Sequence, residues 1–226
     1  MNKSSRTALV IGASGLVGRE LLRQLTAPDS GYKAVHSLLR KPLEPAPAGV
    51  QMHVVDFSHL PSPLPAADDL YCALGTTIKV AGSKEAFRAV DFDAVVDSAR
   101  AAQGAGVKRM AVVSSLGADA QSRVFYNQVK GEMEAALRAL RFKRLVIARP
   151  SLLAGARDVL GQAPRLAEQL SLTLLRPIGG LLPASIRPID AAVVARAMRV
   201  ALNTDGPAAQ VLESAVLQQL GQDKTT

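Results

Sequence analysis

The stretch Thr7-Ala8-Leu9-Val10-Ile11-Gly12-Ala13-Ser14-Gly15-Leu16-Val17-Gly18 decides how this 226-residue chain folds. Thr7 to Ile11 reads as a short strand, and glycines follow it at every third position: Gly12, Gly15 and Gly18. From Leu16 onward the apolar residues Leu16, Val17, Leu21, Leu22 and Leu25 recur at helical spacing, and Ala27-Pro28 ends the run. A strand that turns on glycines into a helix opens a βαβ unit. Glycine is required there because the turn is tight, a ligand must approach bare backbone, and the helix must pack close to its strand. The helix start then offers free N–H groups and a positive dipole end to phosphates. The expectation is a dinucleotide held by Gly12, Ser14, Gly15, Leu16, Val17 and Gly18, with a tight turn that binds nothing as the alternative.

Outward from this turn, short β-rich runs alternate with helical ones. Strands are expected at Thr7 to Ile11, Ala34 to Leu39, Val50 to Val55, Asp69 to Cys72, Arg109 to Ser114 and Leu145 to Ala148, with a further short one at Gln210 to Leu212. Helices are expected at Leu16 to Leu25, Phe92 to Gln103, Phe125 to Leu140 and Ala191 to Leu202. The proline-rich segments Leu43 to Gly49 and Pro61 to Pro65 read as loops. This alternation predicts an α/β fold: a Rossmann-type, doubly wound parallel sheet with helices on both faces. Residues 1–226 are expected to form one domain, in which 151–190, Leu-rich and broken by Pro and Gly, serves as a small C-terminal helical lid over the substrate.

The end of the second strand chooses the dinucleotide, because an acid there binds the ribose of NAD and a base accepts the 2′-phosphate of NADP. It reads Leu38-Leu39-Arg40-Lys41, and Arg40 lies 22 residues after Gly18. A guanidinium grips a phosphate through two parallel hydrogen bonds and Lys41 adds a second cation, so NADP(H) is expected over NAD(H). Asp56, just past the third strand, is placed to bond the adenine edge or merely to start a surface loop. Gly75-Thr76-Thr77 lies where backbone passes close to a dinucleotide, or is only a turn.

Ser114-Ser115 ends the fifth strand, and Tyr126 and Lys130 stand four apart on the next helix, sharing one face. A neighbouring cation favours the ionised phenol, so Tyr126 can give or take a proton while a serine holds the substrate oxygen. Ser115 is preferred to Ser114, as the residue pointing into the crevice above the sheet. Cys72 reads as inert core and not as a nucleophile. Arg149 and Arg187 could face an acidic substrate or lie in solvent.

Composition narrows the rest. Hydrophobic residues make up 48% and charged residues 20%, a globular balance. A formal charge of +8 could suit nucleic acid, but the cations are scattered from Lys3 to Arg199 and aromatics are only 4%, with no Trp. The basic surface is instead expected to attract an anionic cofactor or substrate. The single cysteine excludes an internal disulfide, and His36, His53 and His59 are not at zinc-ligand spacing, so no metal is expected. The polar start and the short apolar run after it predict a cytoplasmic protein with neither membrane nor nucleic-acid partner. The expected partner is a small-molecule substrate, with a homodimer left open.

With Gly12 to Gly18, Arg40, Ser114-Ser115, Tyr126 to Lys130 and Arg149-Pro150 in this order, the chain resembles the atypical short-chain dehydrogenase/reductases. It resembles most the branch of the human Tat-interacting oxidoreductase and its bacterial relatives, through Leu74 to Thr77, Ser114 to Asp119, Tyr126 to Glu132 and Gln210 to Glu213. The resemblance implies a Ser-Tyr-Lys set at Ser115, Tyr126 and Lys130, with Ser114, Tyr126 and Lys130 also touching the cofactor. It further implies nicotinamide-side contacts near Leu74, Gly75 and Pro150. An Asn that many relatives carry after the fourth strand has no counterpart in Phe92 to Gln103. The function implied is an NADPH-dependent oxidoreductase acting on a small carbonyl or alcohol. The alternatives are a non-catalytic NADPH sensor of the NmrA-like kind and a sugar-nucleotide epimerase or dehydratase, the last disfavoured by the short segment after Ser151.

Overall fold

The computed structural model describes residues 6–154, 183 and 187–222. β1 (Arg6–Ile11), β2 (Tyr32–Leu39), β3 (Val50–Val54), β4 (Asp69–Cys72), β5 (Arg109–Val113) and β6 (Arg144–Arg149) all pair in parallel, and a further strand, Ala209–Glu213, joins β6. With β7 (Leu153–Ala154) and β8 (Ile189–Asp190) counted in chain order, that last strand is β9. The sheet order is β3-β2-β1-β4-β5-β6-β9, so the chain reverses direction across the sheet between β1 and β4. A crevice at the carboxyl ends of these two strands is where such sheets take their ligands.

Both faces of the sheet are covered, which is why its strands read as nearly continuous apolar runs. Along β1, Ala8 and Val10 point to one core and Leu9 and Ile11 to the other. The first core is closed by α1 (Leu16–Leu25), by α6 (Ala191–Asn203) through Val194, Ala195 and Met198, and by α7 (Ser214–Gly221) through Leu217. The second is closed by α4 (Ala94–Gly104) through Val95, Val96 and Ala99 and by α5 (Phe125–Ala139) through Met133 and Leu137.

The helix expected from Phe92 starts earlier. Two short helices, α2 (Ile78–Ala81) and α3 (Lys84–Arg88), come first, and a π turn (Ala89–Asp93) joins α3 to α4 without a break. Ser83 caps α3 by accepting from the Ala86 N–H at 3.0 Å, with Glu85 in the first turn, which makes it the true start of the helical stretch. β7 and β8 form a separate two-stranded parallel ribbon that pins the two ends of the segment expected as a lid. Residues 155–182 and 184–186 of that lid lie outside the described residues.

Candidate functional site

The glycine turn stands at the β1/β4 reversal, and its three glycines have different reasons to be glycine. Gly12 has φ +82°, and a Cβ on it would collide with the Ala73 carbonyl carbon and the Leu74 nitrogen of the chain leaving β4. Gly18 sits where a Cβ would strike the Gly12 carbonyl, so it sets the approach of α1 to the turn. At Gly15 the nearest atom to a Cβ would be the Gly12 carbonyl oxygen, at 3.4 Å, an ordinary contact. Gly15 lines the cleft, so its missing side chain leaves room for a ligand and is not needed by the protein itself. Among the described residues no side chain caps α1, whose first N–H groups lack intrahelical partners and belong to residues that line the same cleft. This is the geometry that a pyrophosphate fits. Ser14 is exposed at the turn, and Arg19, which the sequence reading missed, lays its Nε within 3.4 Å of the Ser14 carbonyl oxygen, bringing a cation to it.

Register places Arg40 and Lys41 beside this turn, because Ile11, the last residue of β1, pairs with Leu38 one residue before the end of β2. Both side chains are exposed, and no ion pair holds either among the described residues. Asp56 is exposed too, but engaged locally. Its Oδ1 accepts from the Ser58 N–H (2.9 Å) and hydroxyl (2.6 Å), and its Oδ2 lies 3.5 Å from His59. The Ser58 hydroxyl and N–H hold its carboxyl below the ordinary range. The surface-loop alternative therefore accounts for Asp56 as it stands.

At the other side, a cleft of about 540 Å3 gathers the remaining candidates. Gly15, Leu16 and Val17 line it together with Leu74, Gly75, Thr76, Ser114, Ser115, Tyr126, Lys130 and Pro150. The ends of β5 and β6 meet here through backbone bonds, Ser114 N–H to the Ala148 carbonyl (2.7 Å) and Leu116 N–H to the Pro150 carbonyl (3.0 Å). The two serines separate. Ser114 is buried and donates to Glu134 Oε1 at 2.6 Å, whereas the Ser115 hydroxyl is half-exposed and makes only a 3.3 Å bond to the next carbonyl.

Tyr126 stacks its ring on the buried Phe87, with centroids 5.3 Å apart. One turn further along α5, Lys130 is buried, and its Nζ lies 2.7 Å from Asp91 Oδ1. Burial alone drives the Lys130 ammonium down, but the Asp91 carboxylate, the Tyr126 phenol and Cys72 carry it above the ordinary lysine range. Asp91 is the principal residue the sequence reading missed. It is fully buried in the π turn, and its Oδ2 accepts the Thr76 N–H at 2.8 Å.

Two further expectations are decided. Cys72 is buried, and burial pushes its thiol up to about 11, which makes it the inert core residue expected. Arg149 is not available to an acidic substrate. Its Nε and Nη2 bond Glu134 at 2.9 and 2.7 Å, and its Nη1 bonds Glu213 at 3.0 Å.

Comparison with known proteins accords with this geometry. Residues 12–154 match the model of a family described as NAD(P)H-binding. The chain is 35% identical to HTATIP2 of Rattus norvegicus, over 97% of this chain and 90% of that one. It is 32% identical to FMP52-1 of Scheffersomyces stipitis over 77% of each. Among solved structures, MoeE5 in complex with UDP-glucose and NAD superposes with a TM-score of 0.69 at 19% identity, covering 91% of this chain and 75% of that one. This last likeness is one of fold. The cytoplasmic placement expected from the sequence is corrected by the FMP52 relatives, which are named mitochondrial.

Proposed function

Because the chain belongs to the NAD(P)H-binding family, within the short-chain dehydrogenase/reductase-like Rossmann proteins, we propose that it is an NADPH-dependent oxidoreductase acting on a small carbonyl or alcohol. The observation that carries this reading is the convergence of Ser115, Tyr126 and a buried, ion-paired Lys130 on the cleft that the glycine turn opens into.

The parts divide the work by position. The Gly12 to Gly18 turn and the start of α1 hold the pyrophosphate, and Arg40 with Lys41 meets the 2′-phosphate. Leu74, Gly75, Thr76 and Pro150 border the nicotinamide end. When bound, NADPH supplies a hydride to the carbonyl carbon of the substrate. The Ser115 hydroxyl donates to the carbonyl oxygen, on which negative charge develops. Tyr126 delivers the proton to that oxygen, and Lys130 beside it stabilises the phenolate left behind. In the oxidative direction the Tyr126 phenolate would take up the alcohol proton, and the hydride would pass from the alcohol carbon to bound NADP⁺.

Tyr126→Phe keeps the ring on Phe87 and removes the proton donor. With NADPH and a panel of small ketones and aldehydes, its turnover is expected to fall by roughly 10²–10⁴-fold, with NADPH affinity unchanged. A wild-type chain that binds NADPH but reduces nothing, or a Tyr126→Phe chain with full turnover, contradicts the catalytic reading. The former outcome would leave a cofactor sensor.

A further inference from the structure

We propose that Asp91 is the positioning residue of this site. One carboxylate oxygen holds Lys130 as a cation next to Tyr126, and the other fixes the Gly75-Thr76 backbone along the path of the dinucleotide. The proposal rests on the reading of Tyr126 and Lys130 as the acid/base pair.

Asp91 and Lys130 are both withdrawn from solvent, and a buried charge persists only when another charge or hydrogen bonds compensate it. Here each compensates the other across 2.7 Å, and the second oxygen of Asp91 takes the Thr76 N–H at 2.8 Å. Gly75 packs onto the pair: a Cβ there would lie 3.5 Å from Asp91 Oδ1 and 3.8 Å from Lys130 Nζ. Among the described residues, the groups facing Lys130 are therefore Asp91 from the π turn, Tyr126 from its own helix and Cys72 from β4.

The π turn carries the consequence. An extra residue in a helical turn re-aims a side chain, and such turns gather at functional sites. This one presents Asp91 inward, between α5 and the loop after β4. Arg88, the residue before it, anchors the turn from outside by pairing with Glu132 of α5 at 2.5 Å. An Asn at position 91 could still accept the Thr76 N–H, but it would leave Lys130 buried without a counter-charge. The acid thus performs two tasks, of which the amide can perform one.

That difference is the test. Lysines carrying 13C at Cε are followed by NMR through a pH titration in wild type, Asp91→Asn and Asp91→Ala, and NADPH binding to each is measured by fluorescence. In wild type the Lys130 signal stays that of the ammonium well into the alkaline range. In Asp91→Asn its midpoint falls by about one pH unit or more, while NADPH affinity changes by less than about threefold, because the loop bond survives. In Asp91→Ala both are lost, and NADPH affinity falls about tenfold.

An unchanged Lys130 midpoint in Asp91→Asn overturns the electrostatic role. Full NADPH affinity in a folded Asp91→Ala chain overturns the loop role. If folded wild type binds no NADPH, the cofactor reading and the loop role fail together, and the Lys130 titration alone judges the ion pair.

Discussion

Two buried aspartates stand at opposite edges of the same sheet, and their surroundings differ in one respect. At the amino edge, Asp69 on β4 is saturated. Arg109 meets its two oxygens through Nε and Nη2, both at 2.5 Å, the Tyr32 hydroxyl donates at 2.6 Å, and Arg6 reaches it at 3.4 Å. Tyr71, fully buried, closes the cluster through a 2.9 Å bond to Tyr32. At the carboxyl edge, Asp91 has one cation and one backbone N–H, and its lysine opens onto a cleft. A buried polar group whose partners all belong to the scaffold holds the fold together. One whose partners face an opening is arranged for a ligand.

The largest expected effect breaks the amino edge. Asp69→Ala takes away the acceptor that Arg109 and Tyr32 share, leaving them longer bonds to Asn203 at 3.4 and 3.5 Å, and should cost about 3 kcal/mol of stability, read from denaturant unfolding. The fraction that remains folded should bind NADPH with wild-type affinity. A loss of affinity in folded protein would mean that the two edges are coupled and the contrast is false.

Gly15→Asp is the converse experiment. The position tolerates a Cβ without backbone strain, so the melting temperature should change little, but a carboxylate at the start of α1 would repel the phosphates. NADPH affinity is expected to drop by tenfold or more, on the order of 1.4 kcal/mol at least. A strong loss of stability with affinity intact would make Gly15 a structural glycine like Gly12 and Gly18.

Arg40→Ala sharpens the carboxyl edge further. Losing a charge-assisted bond to a 2′-phosphate should weaken NADPH binding about tenfold and leave NADH binding unchanged. Equal loss for both cofactors would show Arg40 acting only through general charge.

The smallest effect touches neither edge. His36 on β2 and His53 on β3 place Nδ1 and Nε2 3.0 Å apart, and burial, then the neighbouring ring, lowers the pKa of His36. A lowered folded value means that the stability it contributes is complete above the unfolded pKa of about 6.5 and is lost as pH falls through the folded one. Thermal melts from pH 7.5 to 5 should show that decline, and His36→Gln should remove it. An acid decline of the same size in His36→Gln would assign it to other groups.

The two edges were not equally legible in the sequence. The glycine turn is local, since its spacing follows from covalent geometry, and α1 and β4 fall on the expected bounds. Register did the rest for Arg40, because the pairing of Ile11 with Leu38 brings the end of β2 to the glycine turn. The acid/base pair was readable as a helical i,i+4 spacing. Its counter-ion was not, because Asp91 sits in a π turn that obeys neither the helical nor the strand period, and it meets Lys130 only through tertiary packing. Asp91 also lies one residue before the helix expected from Phe92. Ser83 and Glu85 were the visible signs of an earlier helix start. Strand direction alone favoured Ser115 over Ser114, but what holds Ser114 back is Glu134, a helical acid whose burial no local pattern declares.

All of this depends on the carboxyl edge accepting a dinucleotide. Calorimetric titration of the full chain with NADPH and with NADH tests it most directly. Saturable binding of NADPH, tighter than NADH by about tenfold or more, is the predicted result. Heat from neither titration would contradict the account at its root.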